Sequence, residues 1–167
     1  ILKKHSITYF LKTVLLNYDK DRFEIFLYLD NKIEDDNTNE IKALVKKTRN
    51  ISNLNNIDAT NLIRQDEIDI IFDIMGLTSV KRIALFKNRL ASKQISWLGY
   101  SNTTGVVNMD YLISDSNLIY PEEEYNYVEK IIYLPNIWIC HSELIIERVD
   151  FDPPCLKNKY ITFGSFN

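Results

Sequence analysis

Beginning at Ser6, apolar residues return every three or four positions, at Ile7, Phe10, Leu11, Val14 and Leu15, with polar residues between them. That is the period of a helix with one face turned to a core, and it predicts a helix over Ser6–Asn17. The pattern then changes. Arg22–Leu29, RFEIFLYL, clusters aromatic residues and Ile as a buried strand does. Asn37 followed three residues later by Glu40 has capping-box spacing, and Ile41, Leu44 and Val45 fall on one helical face behind it. A weak strand is predicted near Asn50–Leu54, then a short helix capped by Asp58 and carrying Leu62 and Ile63.

Ile68–Gly76, IDIIFDIMG, is a nearly continuous apolar run closed by glycine, the pattern of a strand covered on both faces. Ser79 is placed to cap a helix bearing Val80, Ile83, Phe86 and Leu90. Further strands are predicted in QISWLG (Gln94–Gly99), Met109–Asp115, EKIIYLP (Glu129–Pro135) and YITFGSFN (Tyr160–Asn167). Pro121 followed by three glutamates reads as a helix start, where proline and negative charge are both favoured. Strands and helices alternate, with connections too long for hairpins. This is an α/β pattern with a mostly parallel sheet, in which ligands sit outside the carboxyl ends of the strands. The rule selects Asp73–Thr78, Leu98–Gly105 and Gly164–Asn167 as site candidates. The one stretch with boundary character is VDFDPPCLKNK, Val149–Lys159.

Composition changes this picture little. The chain has 167 residues, enough for one real core, and is 46% hydrophobic. Its net charge is −3 and its basic residues are scattered, which argues against nucleic acid as a partner. No apolar run of about eighteen residues marks a membrane span or a signal peptide, and two cysteines make no disulfide framework, so a reducing cytoplasm is expected. Cys140, His141 and Cys155 lack paired metal-ligand spacing, so no metal is expected. No Gly-x-Gly-x-x-Gly run supports a dinucleotide enzyme, and no Gly-x-Ser-x-Gly elbow supports a hydrolase.

Glycine is scarce: four in the chain, two of them in ISWLGYSNTTG, Ile95–Gly105. That stretch, with its continuation VVNMDYLISD, resembles the Trp-Leu-Gly-Tyr-Pro, Thr-Gly and Met-Asp-Tyr signature of the glycosyltransferase family of O-GlcNAc transferase and Spindly. HSITYFL from His5, IDIIFDIMGLT, YVEKIIYLP and YITFGSFN resemble further segments of that family in the same order, and all four glycines fall on motif positions. Ser101 and Leu77 depart from it, standing where the family usually has Pro and His or Tyr. The resemblance implies the Rossmann-like N-terminal half of a GT-B glycosyltransferase. Residues 1–150 would form that half, lacking its first strand, and residues 151–167 would lead into an absent C-terminal nucleotide-binding domain. It implies an inverting, metal-independent transfer of a sugar to Ser or Thr hydroxyls of proteins. The donor would be a nucleotide sugar, UDP-GlcNAc, and the full-length chain would carry tetratricopeptide repeats. The fragment alone would be inactive. Two alternatives remain, a non-catalytic scaffolding module and protein O-fucosylation from a GDP donor.

By the same resemblance His5 and Asp73 would be catalytic. Thr78, Leu98, Gly99, Tyr100, Thr103, Thr104 and Gly105 would line the donor sugar, and Asn167 would touch the nucleotide. Each has a plainer reading. His5 would be a surface histidine beside two lysines, Asp73 a cap on the Gly76–Ser79 loop, Thr78 a helix cap, and Gly99–Gly105 a tight structural turn.

Overall fold

The computed structural model describes residues 5–141 and 152–165. Helix α1 spans Ser6–Asn17, the bounds its periodicity predicts, and buries Ile7, Leu11 and Leu15. Strand β1, Phe26–Leu29, takes only the second half of the predicted apolar run. Helix α2 is Asp36–Lys42, and its cap is Asp35, which forms a box with Thr38 in place of the expected Asn37 and Glu40. Strand β2, Lys47–Asn50, lies ahead of the predicted site. Helix α3, Asn56–Gln65, starts at Asn55, whose side chain accepts from the Asp58 amide and donates to its carboxylate.

Strand β3 is Ile70–Asp73. After it the expected Ser79-capped helix breaks into a 3₁₀ turn Gly76–Ser79, one turn of helix α4 at Val80–Ile83, and a second 3₁₀ turn Ala84–Lys87. Ser79 makes no side-chain cap. Strands β4 (Lys93–Ser96), β5 (Tyr111–Ser114) and β6 (Lys130–Tyr133) follow, with a 3₁₀ turn Pro121–Asn126 between the last two. A short helix α5, Pro154–Asn158, ends at Lys159 in the left-handed region. The strand expected from Tyr160 onward is absent through Ser165, where the chain is exposed.

All strand pairs are parallel. β1 pairs with β2, and β3-β4-β5-β6 form a second sheet in that order. Register places Ile71 beside Gln94 and Asp73 beside Ser96 on one face, while Ile70 and Phe72 point to the other. The first face is covered by α3 and the segment after β3, through Ile63, Ile83, Phe86, Leu90 and Met109. Ile70 and Phe72 remain 45% and 44% exposed, so β3 is not covered on both faces among the described residues. A second core joins α1 to both sheets: Ile7, Leu11 and Leu15 meet Leu27 and Leu29 of β1 on one side and Leu98 and Ile74 on the other. Each fully buried Leu or Ile there contributes roughly 1.5–3 kcal/mol. That packing fixes the first turn of α1 beside the carboxyl ends of β3 and β4.

Candidate functional site

Three separate segments meet at that rim. His5, Ser6, Ile7 and Phe10 from the start of α1, Met75 and Thr78 after β3, and Leu98 and Gly99 after β4 enclose a cavity of about 250 Å³. A larger hollow, about 630 Å³, is walled by Asp152–Asn158 alone and gathers no side chains from different elements.

His5 caps α1. Its Nδ1 accepts from the Ile7 amide at 3.3 Å, one of the donors a helix start leaves open. A neutral imidazole that accepts at Nδ1 carries its proton at Nε2, so the cap selects the tautomer that offers an N–H donor to a ligand. Asp73 is buried, and its two oxygens accept from the Met75 amide (3.0 Å) and the Gly76 amide (3.1 Å). Burial raises its pKa and these two N–H groups oppose the rise. Its carboxylate is thus spent on holding the Met75–Gly76 turn, the plainer of its two readings. The Thr78 hydroxyl donates to the Met75 carbonyl from an exposed position at the cavity.

After β4 the backbone is strained. Leu98 is buried at φ +87°, and the Gly99 amide turns back to the Trp97 carbonyl at 3.3 Å, a positive-φ γ-turn rare for any side chain but glycine. The reversal drives Gly99 against the loop after β3. A Cβ there would meet the Ile74 carbonyl oxygen at 2.2 Å. Tyr100 packs over Gly76, where a Cβ would come within 2.4 Å of the tyrosine's own Cβ.

Thr103 and Thr104 are not brought to the cavity. Their hydroxyls, and the Thr104 amide, go to the carboxylate of Glu129. Glu129 immediately precedes β6, so this cluster sits on the amino-terminal rim of the sheet, opposite the cavity. The hydroxyls expected to face a sugar are already committed. Gly105 lies beyond them at φ +67°, with open space where a Cβ would stand, so its glycine serves the turn and no close approach. Asn167 lies outside the described residues. The sequence reading missed Ser6, Ile7 and Phe10 as wall residues, although helical spacing places Phe10 on the face of Ile7; Met75 falls inside the selected Asp73–Thr78 segment. It also missed Glu129, whose partners are 25 residues away and leave no local signal.

Among the described residues no group of three or more His, Cys, Asp or Glu is placed to hold a metal, and no helix is long and apolar enough to cross a membrane. Cys140 and Cys155 are free thiols.

Parallel strands with a cavity at their carboxyl ends are the arrangement in which α/β proteins hold ligands. The chain belongs to Glycosyl transferase family 41, whose profile matches residues 2–147. It is 30% identical over 98% of its length to a tomato protein named probable UDP-N-acetylglucosamine–peptide N-acetylglucosaminyltransferase SPINDLY. It is 28% identical over 95% of its length to the UDP-N-acetylglucosamine–peptide N-acetylglucosaminyltransferase of Caenorhabditis elegans. The chain spans only 18% and 14% of these two relatives. A solved structure of the Thermobaculum terrenum O-GlcNAc transferase, mutant K341M, superposes with a TM-score of 0.80 at 31% identity, covering 83% of this chain and 26% of that one. The α/β fold of parallel strands is thus that of an O-GlcNAc transferase catalytic region.

Proposed function

We propose that this chain forms the sugar- and acceptor-facing half of an inverting, metal-independent transferase. Its reaction moves N-acetylglucosamine from UDP-GlcNAc to Ser or Thr hydroxyls of proteins. The observation that carries the reading is the cavity of about 250 Å³ whose walls come from His5, Thr78 and Leu98–Gly99. Drug-sized ligands occupy roughly 300–1,000 Å³. This space therefore suits a single sugar ring and not a whole nucleotide sugar, so uridine and diphosphate fall to a second domain, to which residues 151–167 lead. The family relationship and the names of the relatives support the same donor.

In such a transfer the acceptor oxygen displaces the diphosphate at the anomeric carbon, and the protein aligns the two and stabilises the charge that develops. The Nε2 donor of His5 suits that charge. Gly99 contributes backbone to the cavity wall, and the Thr78 hydroxyl oxygen, which donates its proton to Met75, is free to accept from a sugar hydroxyl. Incubating the full-length protein with labelled UDP-GlcNAc or GDP-fucose and an acceptor extract tests the reading. Labelling from UDP-GlcNAc supports it, labelling from GDP-fucose changes the sugar, and labelling from neither leaves the scaffolding alternative. The chain 1–167 alone is expected to bind neither donor measurably.

A further inference from the structure

Glu129 is a buried carboxylate, 4% exposed, that no element of the cavity uses. Among the described residues it forms no ion pair with a Lys, Arg or His. A buried charge without a cation is costly unless hydrogen bonds satisfy it. Here all the donors come from one loop. Oε2 accepts from the Thr103 hydroxyl at 2.8 Å, and Oε1 accepts from the Thr104 amide at 2.8 Å and from the Thr104 hydroxyl. The threonine oxygens pass the order on: Thr103 Oγ1 accepts from the Gly105 amide at 3.2 Å, and Thr104 Oγ1 from the Val106 amide at 3.2 Å.

Residues 97–110 connect β4 to β5 without a helix; Val106 and Met109 pack into the core, whereas Gly99–Thr103 stays partly or fully exposed and is held at its end by the Glu129 cluster. Its near end, Leu98–Gly99, walls the cavity. Its far end is the Glu129 cluster on the opposite rim. Between Gly99 and Thr103 only Tyr100, Ser101 and Asn102 intervene, a link that spans at most about 14 Å. Four-residue strands such as those it runs beside are about 13 Å long. A link this short couples the positions of its two ends. Strain of the kind seen at Leu98 persists only where the surroundings over-determine the backbone.

We infer that Glu129 is a positioning residue: its carboxylate latches Thr103 and Thr104 of the β4–β5 connection and thereby fixes the Leu98–Gly99 wall of the cavity. The consequence for donor binding rests on the sugar-site reading above; the latch itself does not. The test is Glu129→Gln in the full-length protein, followed by amide exchange and by donor kinetics, with Thr104→Ser as the variant that keeps the hydroxyl. Glutamine offers one acceptor oxygen where the loop presents three donors. The expected result is faster exchange at Leu98–Tyr100 as well as at Thr103–Thr104. The KM for UDP-GlcNAc rises about tenfold, since small misplacements of a binding wall carry penalties of that order or more. Thr104→Ser should behave as wild type. Faster exchange confined to Thr103–Gly105, or spread evenly over all six strands, would overturn the latch. If the wild type neither binds nor consumes UDP-GlcNAc, the exchange pattern still decides the latch, and only the sugar reading falls. Should Glu129→Gln fail to fold, Thr103→Val removes the Thr103 bond to Oε2 and the bonds its hydroxyl accepts from the Gly105 and Val128 amides, leaves the Thr104 pair in place, and is read by the same criteria.

Discussion

The carbonyl oxygen of Ile74 and the α-carbon of Gly99 stand so close that a Cβ on Gly99 would lie 2.2 Å from the oxygen, with Ile7 Cδ1 2.8 Å away on the other side. The oxygen is main chain and cannot swing aside. Gly99→Ala must therefore push β4 away from the loop after β3, at a cost of about 1–3 kcal/mol by analogy with overpacked cores. It should also widen the sugar cavity. Gly105→Ala is the control. Nothing lies within 4 Å of its Cβ position, so only the positive φ opposes it, at about 1–2 kcal/mol. Urea denaturation should show both losses, whereas the donor KM should move only for Gly99→Ala.

His5 does two things that substitution separates. As a cap it holds the Ile7 amide, and Ser or Asn can do the same. As a donor at Nε2 it has no such replacement. His5→Ala should lose about 1 kcal/mol of stability, and His5→Ser only a few tenths. Sugar transfer by the full-length protein should fall by the same large factor in both. Transfer that recovers in His5→Ser would show that the residue acts only through the helix.

Where the chain's own period decides a feature, it was legible. Helix α1 is the clear case, because Ile7, Leu11 and Leu15 report the buried face directly. Strand β3 shows the limit. Its Ile-Phe run announces a strand, but whether Ile70 and Phe72 meet a partner depends on what packs there, and the described structure leaves that face open. Tyr160–Phe163 has strand-forming residues but no neighbouring strand among the described residues to supply a ladder, so propensity alone makes no strand. The positive φ of Gly76 and Gly105 and the cap that His5 makes answer local backbone needs, which a sequence can show, whereas Gly99 answers the approach of Ile74 and Ile7, which it cannot. The allegiance of Thr103 and Thr104 was not legible either, since a threonine beside a glycine looks the same whether its hydroxyl faces a sugar or a carboxylate 25 residues on.

Asp73 is expected to behave as a structural residue. Its two oxygens serve two backbone amides, and Asp73→Asn leaves one of them facing an NH₂ group. An unsatisfied buried donor costs about 1–3 kcal/mol, which chemical denaturation of wild type and variant would register. If Asp73 also acted on substrate, kcat would fall far more than the loss of folded protein explains. The turn-holding role predicts a kcat per folded molecule close to wild type.

Asp66 offers a test of the fold through pH. Its side chain is 2% exposed and accepts from Arg49 Nη2 at 2.8 Å and Nε at 3.2 Å, from Lys47 Nζ at 2.5 Å and from the Tyr28 hydroxyl at 2.9 Å. The Arg49 hydrogen bonds are the largest influence and hold the carboxyl well below its ordinary 3.8, against the opposing effect of burial. A carboxyl whose folded pKa is depressed adds stability that is complete above its unfolded pKa and is lost as pH falls toward the folded value. The loss should thus begin below about pH 4 and continue through the acid range. Asp110 and Asp115 are also held low, by Arg89 and by the Trp138 amide, so the protein keeps some acid sensitivity without Asp66. Asp66→Asn should be less stable than wild type at pH 7 and should lose less on acidification, so that the gap between the two urea midpoints narrows steadily as the pH falls below about 4. Parallel curves, with the gap at pH 7 preserved in acid, would mean that the Asp66 contacts with Arg49, Lys47 and Tyr28 do not join the C-terminus of α3 to β1 and β2 in the way described.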